Sequence, residues 1–114
     1  MERFVKGDVV VVSFPFTNLS SSKRRPALVL AKSGPNDLLL SQLTSKSVAD
    51  ERAVEVGTTD FNTGGLNVSS NVRPNKLFTA EASMIAYKVG SLKPKKMAVV
   101  VAAINKLLID RVIR

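Results

Sequence analysis

The chain contains no cysteine. A disulfide framework, a thiol nucleophile and a cysteine-ligated zinc site are therefore excluded. Histidine is also absent. That removes His–carboxylate triads, histidine metal clusters and the usual general base of neutral-pH hydrolases. Aromatic residues make up only 5%, too few for a general base-stacking platform. Long apolar runs are missing too. Stretches such as Met97–Ile104 fall well short of the ~20 residues that cross a bilayer. The opening MERFVKGDVVVV lacks the apolar core and small-residue cleavage site of a secretory signal. A cytoplasmic location with no membrane association is the expectation, and the glycosylation-like triplets at Asn18 and Asn67 are read as chance. Any catalysis falls to Arg, Lys, Ser, Thr, Tyr or carboxylates.

What is present is an ordinary globular composition with a strong positive bias. The 114 residues are 45% apolar and 23% charged, which suits a single domain spanning residues 1–114. Seventeen Lys and Arg stand against nine Asp and Glu, a net charge of +8. A small domain this basic attracts polyanions, nucleic acid first and an acidic protein next. The charge is uneven. No acid lies between Asp8 and Asp37, a window that holds Lys23, Arg24 and Arg25. Four of the nine acids fall between Asp50 and Asp60. Asp50, Glu51, Glu55 and Asp60 follow no ligand-loop spacing, and alternate strand residues point to opposite faces. They read as a solvated edge, and no metal or other cofactor is expected.

Hydrophobic patterning divides the chain into short strands and one helix. Val9–Phe14 is a β-branched run that Pro15 ends. Phe16–Arg25 reads as a polar loop, longer than a usual hairpin connection. Pro26–Lys32 and Leu38–Leu43 form a hairpin about the turn cluster Ser33–Asp37. Arg52–Val56 is a short fourth strand, Gly57–Ser70 a loop, and Asn71–Phe78 a fifth strand in which Pro74 suits an edge or a bulge. Thr79–Ala86 reads as a short helix capped by Thr79, and Tyr87–Leu92 as a last strand. Pro94 opens the C-terminal helix. There Met97, Val100, Val101, Ile104, Leu107, Leu108 and Arg111 follow three- and four-residue spacing. The architecture expected is mainly β with short helices, a small curled sheet or barrel with a terminal helix.

Four pieces, in order, carry a resemblance. Gly7, Asp8, Val9 and Val10 run into Ser13, Phe14, Pro15, Phe16 and Thr17. A polar loop closes on Arg25-Pro26 and the strand Ala27–Leu30. A third strand ends Ser41, Gln42, Leu43, Thr44, Ser45, Lys46. Asn71, Val72, Arg73, Pro74, Asn75, Lys76, Leu77, Phe78 and Thr79 precede Gly90, Ser91, Leu92 and the terminal helix. Together they resemble the MazF/PemK family of toxins from type II toxin–antitoxin pairs. The resemblance implies an SH3-like small barrel of the MazF/PemK/CcdB kind, a homodimer, and a metal-independent endoribonuclease cutting single-stranded RNA at a short sequence. It also implies an acidic antitoxin partner. The same fold serves a toxin that poisons DNA gyrase without cutting RNA. A protein-binding inhibitor of that kind and a plain RNA-binding module are thus the two alternatives.

Metal-free RNA cleavage uses the substrate's own 2′-hydroxyl as nucleophile and leaves a 2′,3′-cyclic phosphate and a 5′-hydroxyl. The protein must neutralise charge on the pentavalent phosphorus, help remove the 2′ proton and help the 5′ oxygen leave. One preorganised donor is worth roughly 100- to 1,000-fold in such a step. The resemblance places the catalytic arginine at Arg25, whose guanidinium can bind two phosphate oxygens at once. It places a functional hydroxyl at Thr44, followed by Ser45 and Lys46. It places an arginine donor at Arg73 and an acidic residue where this chain has Asn75. An amide accepts no proton usefully. The 2′-hydroxyl is then activated by a base elsewhere or mainly by electrostatic stabilisation, and Asn75 is left to read a base edge. Lys23, Arg24, Lys46 and Lys76 form an expected track for the RNA backbone, with Thr17 and Asn18 on the polar loop. Phe16 is a candidate for base stacking. Phe78, which closes a strand, reads as core.

Overall fold

The computed structural model describes residues 3–15, 22–45 and 52–110. Seven strands and one helix account for most of them: β1 (Asp8–Pro15), β2 (Ser22–Lys32), β3 (Asp37–Thr44), β4 (Val54–Val56), β5 (Phe61–Gly64), β6 (Ser70–Glu81), β7 (Ile85–Leu92) and α1 (Pro94–Ile109). The strands form one sheet in the order β4-β6-β3-β2-β1-β7-β5, with every pairing antiparallel.

The sheet curls. Laid flat, its edge strands β4 and β5 would stand about 29 Å apart, six spacings of ~4.8 Å. Yet Val54 and Val56 of β4 share one buried cluster with Phe61 of β5. That cluster also takes Val9, Leu28, Leu43, Val72 and Leu92 from the intervening strands and Met97 and Val100 from α1. The helix closes this concave face. A second cluster, Val10, Val12, Ala27, Val29, Leu38, Leu40 and Ala80, lies on the opposite face. Phe4, Phe78, Met84 and Ile85 pack against it. Strand alternation thus gives the sheet two apolar faces, and only one of them touches α1. This is the curled, SH3-like β architecture with a terminal helix that the sequence predicts.

Three local expectations change. β2 starts at Ser22 rather than Pro26, because Ser22–Arg25 pair with Val12–Pro15 of β1. A strand, β5, runs inside the expected loop of residues 57–70. It is too polar to signal itself, and it exists because Thr63 and Gly64 pair with Ser91 and Gly90 of β7. The helix expected over Thr79–Ala86 is reduced to a single tight turn, Ala82–Met84. Thr79, Ala80 and Glu81 pair instead with Leu39, Leu38 and Asp37, and a strand neighbour outweighs a modest helix propensity. Arg111 lies outside the described residues.

The β5–β7 ladder is tight. A Cβ at Gly90 would lie 2.3 Å from the carbonyl oxygen of Thr63, and one at Gly64, which has φ +66°, 2.1 Å from that of Val89. Asp8, 1% exposed, joins the N-terminal segment to the sheet. Its Oδ2 accepts a hydrogen bond from the Val5 N–H at 2.9 Å. Its Oδ1 lies 3.2 Å from the Lys88 Nζ, as an ion pair without an aligned hydrogen bond. Among the described residues, no helix is long and apolar enough to cross a membrane.

Candidate functional site

The basic segment of β2 projects beyond the sheet. β7 pairs with β1 only as far as Val12↔Ile85, and β3 pairs with β2 only as far as Ala27↔Gln42. The β1–β2 ladder continues to Pro15↔Ser22. The end of β1 and the start of β2 therefore form a two-stranded ribbon. It carries Lys23 opposite Phe14, Arg24 opposite Ser13 and Arg25 opposite Val12. All three cations are exposed.

Alternation divides them. Arg25 shares the face of Val12 and Ala27, the face without α1. Arg24 shares the face of Val11 and Pro26. On Arg25's side, the β2–β3 register runs from Ala27↔Gln42 towards Arg25 and Thr44. Thr44 is half-buried and pairs with Asn71 of β6. Ser45 follows at the end of β3, exposed.

Arg73 lies on a bulge of β6. β3 and β6 pair at Leu43↔Val72 and resume at Ser41↔Leu77. Residues 73–76 therefore stand against Gln42 alone, a larger insertion than the one-residue bulge usual in sheets. Pro74 occupies it fully buried, where its missing N–H leaves no donor unsatisfied. The sequence allowed an edge or a bulge for this proline, and the bulge is what forms. The buried Ser41 hydroxyl donates to the Arg73 carbonyl at 2.7 Å and pins the insertion. Asn75 and Lys76 are exposed on it. Val72 belongs to the α1-side cluster, so Asn71 lies on the other side, that of Arg25 and Thr44, and Arg73 follows Val72 as the first residue of the insertion.

The Arg73 side chain is half-buried, and its buried Nε–H has no hydrogen-bond acceptor. Burying such a donor without a partner costs roughly 1–3 kcal/mol. An anionic oxygen brought beside it would supply what it lacks. The ion pairs among the described residues are Arg52–Asp110, Lys88–Asp8 and Lys96–Asp60; Lys23, Arg24, Arg25, Arg73 and Lys76 take part in none of them. Asp60 also accepts a hydrogen bond from the Gly57 N–H at 2.8 Å, so this acid braces a turn. Asp50 and Glu51 lie outside the described residues, as do four of the residues expected at the site, Phe16, Thr17, Asn18 and Lys46. Phe78 packs on the second core cluster, in line with its reading as core. Ser41 is the participant that sequence reasoning missed. Its one signal was a hydroxyl directly after the apolar run Leu38–Leu40 of DLLLSQLT.

Comparison with known proteins agrees with this architecture. Residues 5–108 match the family model described as PemK-like, MazF-like toxin of type II toxin–antitoxin system. No curated protein gives a match. Among solved structures, the MazE–MazF complex (Form-II) from Deinococcus radiodurans superposes with TM-score 0.75 at 18% identity, covering 94% of this chain and 97% of that one. A mycobacterial endoribonuclease in complex with its cognate antitoxin gives TM-score 0.71 at 18% identity and covers 95% of both chains. The Mycobacterium tuberculosis toxin MazF-mt6 gives 0.66 at 19% identity, with 89% and 98% covered. These neighbours share the fold from end to end. With the family model spanning nearly the whole chain, the protein belongs to the PemK-like, MazF-like toxin family of type II toxin–antitoxin systems.

Proposed function

We propose that this toxin is an endoribonuclease that cuts single-stranded RNA at a short sequence and inhibits growth when its antitoxin is lacking. The reading is supported by one arrangement above all. Arg25 and Thr44 come from β2 and β3 to one side of the sheet, and Arg73, on the insertion of the adjoining β6, has a buried N–H without an acceptor among the described residues. The endoribonucleases among its structural neighbours add to that support.

In the proposed reaction the RNA 2′-oxygen attacks the adjacent phosphorus and the bond to the 5′ oxygen breaks. The products are a 2′,3′-cyclic phosphate and a 5′-hydroxyl. Arg25 holds two non-bridging oxygens and offsets the charge of the phosphorane. The Thr44 hydroxyl holds a phosphate oxygen or orients the 2′-hydroxyl. Arg73 donates to the phosphate or to the departing oxygen. Asn75, exposed on the bulge beside it, reads a base edge. Lys23, Arg24, Ser45, Lys46 and Lys76 follow the backbone, with Phe16, Thr17 and Asn18 at the loop. Fixed cations offset the negative charge that a metal ion would otherwise offset. The active form is a cytoplasmic homodimer, and an acidic antitoxin competes with RNA for the same positive surface; neighbouring folds are known bound to antitoxins.

The test is purified protein on a long single-stranded RNA in EDTA, with both ends of each cut identified. Cyclic phosphate and 5′-hydroxyl ends are expected. Replacing the 2′-hydroxyl at the cut by hydrogen should spare the strand, and cutting that survives the replacement would refute the mechanism. Asn75 at the acidic position favours one other reading, a toxin that acts by binding a protein such as gyrase. RNA left intact at high protein concentration, together with recovery of gyrase in a pull-down, would establish that reading instead. Salt-sensitive RNA binding without cleavage would mark a plain RNA-binding module.

A further inference from the structure

The face of the ribbon that carries Arg24, not Arg25, opens into a depression of about 390 Å³. Its floor is apolar, formed by Val11, Pro26, Leu66 and Val89. On its rim stand Arg24, Asn67 and Tyr87. The sheet register builds it. Val11 pairs with Pro26 on one side and with Tyr87 on the other, so all three share a face. The segment after β5 supplies Leu66 and Asn67, and the Gly65 N–H donates to the Val89 carbonyl at 3.3 Å, tying that segment to β7. Tyr87 is 50% exposed, a large aromatic surface left uncovered beside a cation. Among the described residues, none that lines it is acidic.

We propose that this depression is a nucleotide subsite, taking the base of a residue that flanks the cleaved linkage. The inference rests on the RNA-cleaving reading and adds to it a position, a binding mode and two residues with roles, Tyr87 and Asn67. An unstacked base lies on the Tyr87 ring above the apolar floor. Asn67 offers both a donor and an acceptor to the base edge. Arg24 takes the phosphate of the same nucleotide. The ribbon explains how one strand reaches both faces. Arg24 and Arg25 are consecutive on a ribbon that neither β3 nor β7 pairs with beyond Ala27 and Val12, so one strand of RNA can meet a cation on each side. The second depression, about 280 Å³ between Leu92, Pro94, Met97 and Val101, has no aromatic ring and lies beside α1, away from the ribbon.

The experiment uses the full chain and random-sequence single-stranded RNA containing 4-thiouridine, in EDTA. Photocrosslinking with peptide mapping and sequencing of cut sites are run side by side. Crosslinks to peptides bearing Asn67 or Tyr87 are expected. Tyr87→Ala should raise KM roughly 5- to 150-fold, the equivalent of one lost base stack, and flatten base preference at one position next to the cut. It should change kcat far less than Arg25→Ala does. Tyr87→Phe, which keeps the ring, should recover most of that loss, and Arg24→Gln should raise KM without flattening the preference. If the wild type cuts RNA while Tyr87→Ala and Asn67→Ala keep its KM and its base preferences, the subsite is overturned and the ribonuclease reading stands. If RNA is bound with the same Tyr87 dependence but never cut, the subsite stands and the ribonuclease reading falls. If an acidic peptide binds in a Tyr87-dependent way while RNA does not, the depression belongs to a protein partner and the proposal is overturned.

Discussion

Arg24 and Arg25 are adjacent in sequence and point to opposite faces of the sheet. Their substitution should separate two kinds of loss. Arg25→Ala is expected to lower kcat roughly 100- to 1,000-fold, the effect of removing one preorganised donor from a developing charge. Arg25→Lys keeps the charge but not the paired donors, so it should recover only part of that loss in a single-turnover assay. Near-full activity in Arg25→Ala would remove the residue from its role. Asn75 makes a sharper case. If the absence of a carboxylate base limits the rate, Asn75→Asp should speed cutting and introduce a rising acid limb into the pH–rate profile. An unchanged or lower rate would show that charge stabilisation, not proton removal, sets the pace. Ser41 acts one step back, through the Arg73 carbonyl. Ser41→Ala is expected to cost about 1 kcal/mol of stability for the lost hydrogen bond, read from the midpoint of a urea transition.

At the scale of elements, the ladder between β5 and β7 carries the least tolerance. A methyl group at Gly90 has the Thr63 backbone in its way, not a flexible side-chain end. Gly90→Ala should therefore destabilise by roughly 1–3 kcal/mol, the usual cost of overpacking. Hydrogen exchange should show faster opening of Phe61–Gly64 and Ile85–Leu92; unchanged protection there would contradict the account. The element also bears on function, because the segment after β5 forms one wall of the Arg24–Tyr87 depression. The bulge of β6 shows the opposite strategy. An insertion that breaks the ladder is kept in place by buried Pro74 and the Ser41 hydroxyl, and it presents Arg73, Asn75 and Lys76 together.

Over the whole molecule, the ion pairs among the described residues leave out the ribbon and the bulge. Asp8, Asp60 and Asp110 are each paired with a cation outside the ribbon and the bulge, which leaves the cations of those two elements for a polyanion. If five of them contact phosphates, the logarithm of RNA affinity should fall with the logarithm of salt at a slope of roughly −3.5. A slope near zero in a filter-binding titration would mean that these cations do not meet the backbone. The sequence alone determined a good deal here. A β-branched run marked β1, short apolar runs about a turn cluster marked β2 and β3, three- and four-residue spacing marked α1, and the absence of histidine and cysteine narrowed the chemistry to guanidinium, amine, hydroxyl and carboxylate groups. These are local properties, readable one window at a time. Only the tertiary structure decided which cation faces which side, that a polar tetrapeptide becomes β5, that Thr79–Glu81 extends a strand, and that Arg73 sits on an insertion held by a serine 32 residues earlier. Each of those depends on strand pairing between distant segments. Register is fixed by the neighbour a strand finds rather than by its own residues, and a shift of one place would have exchanged the two faces.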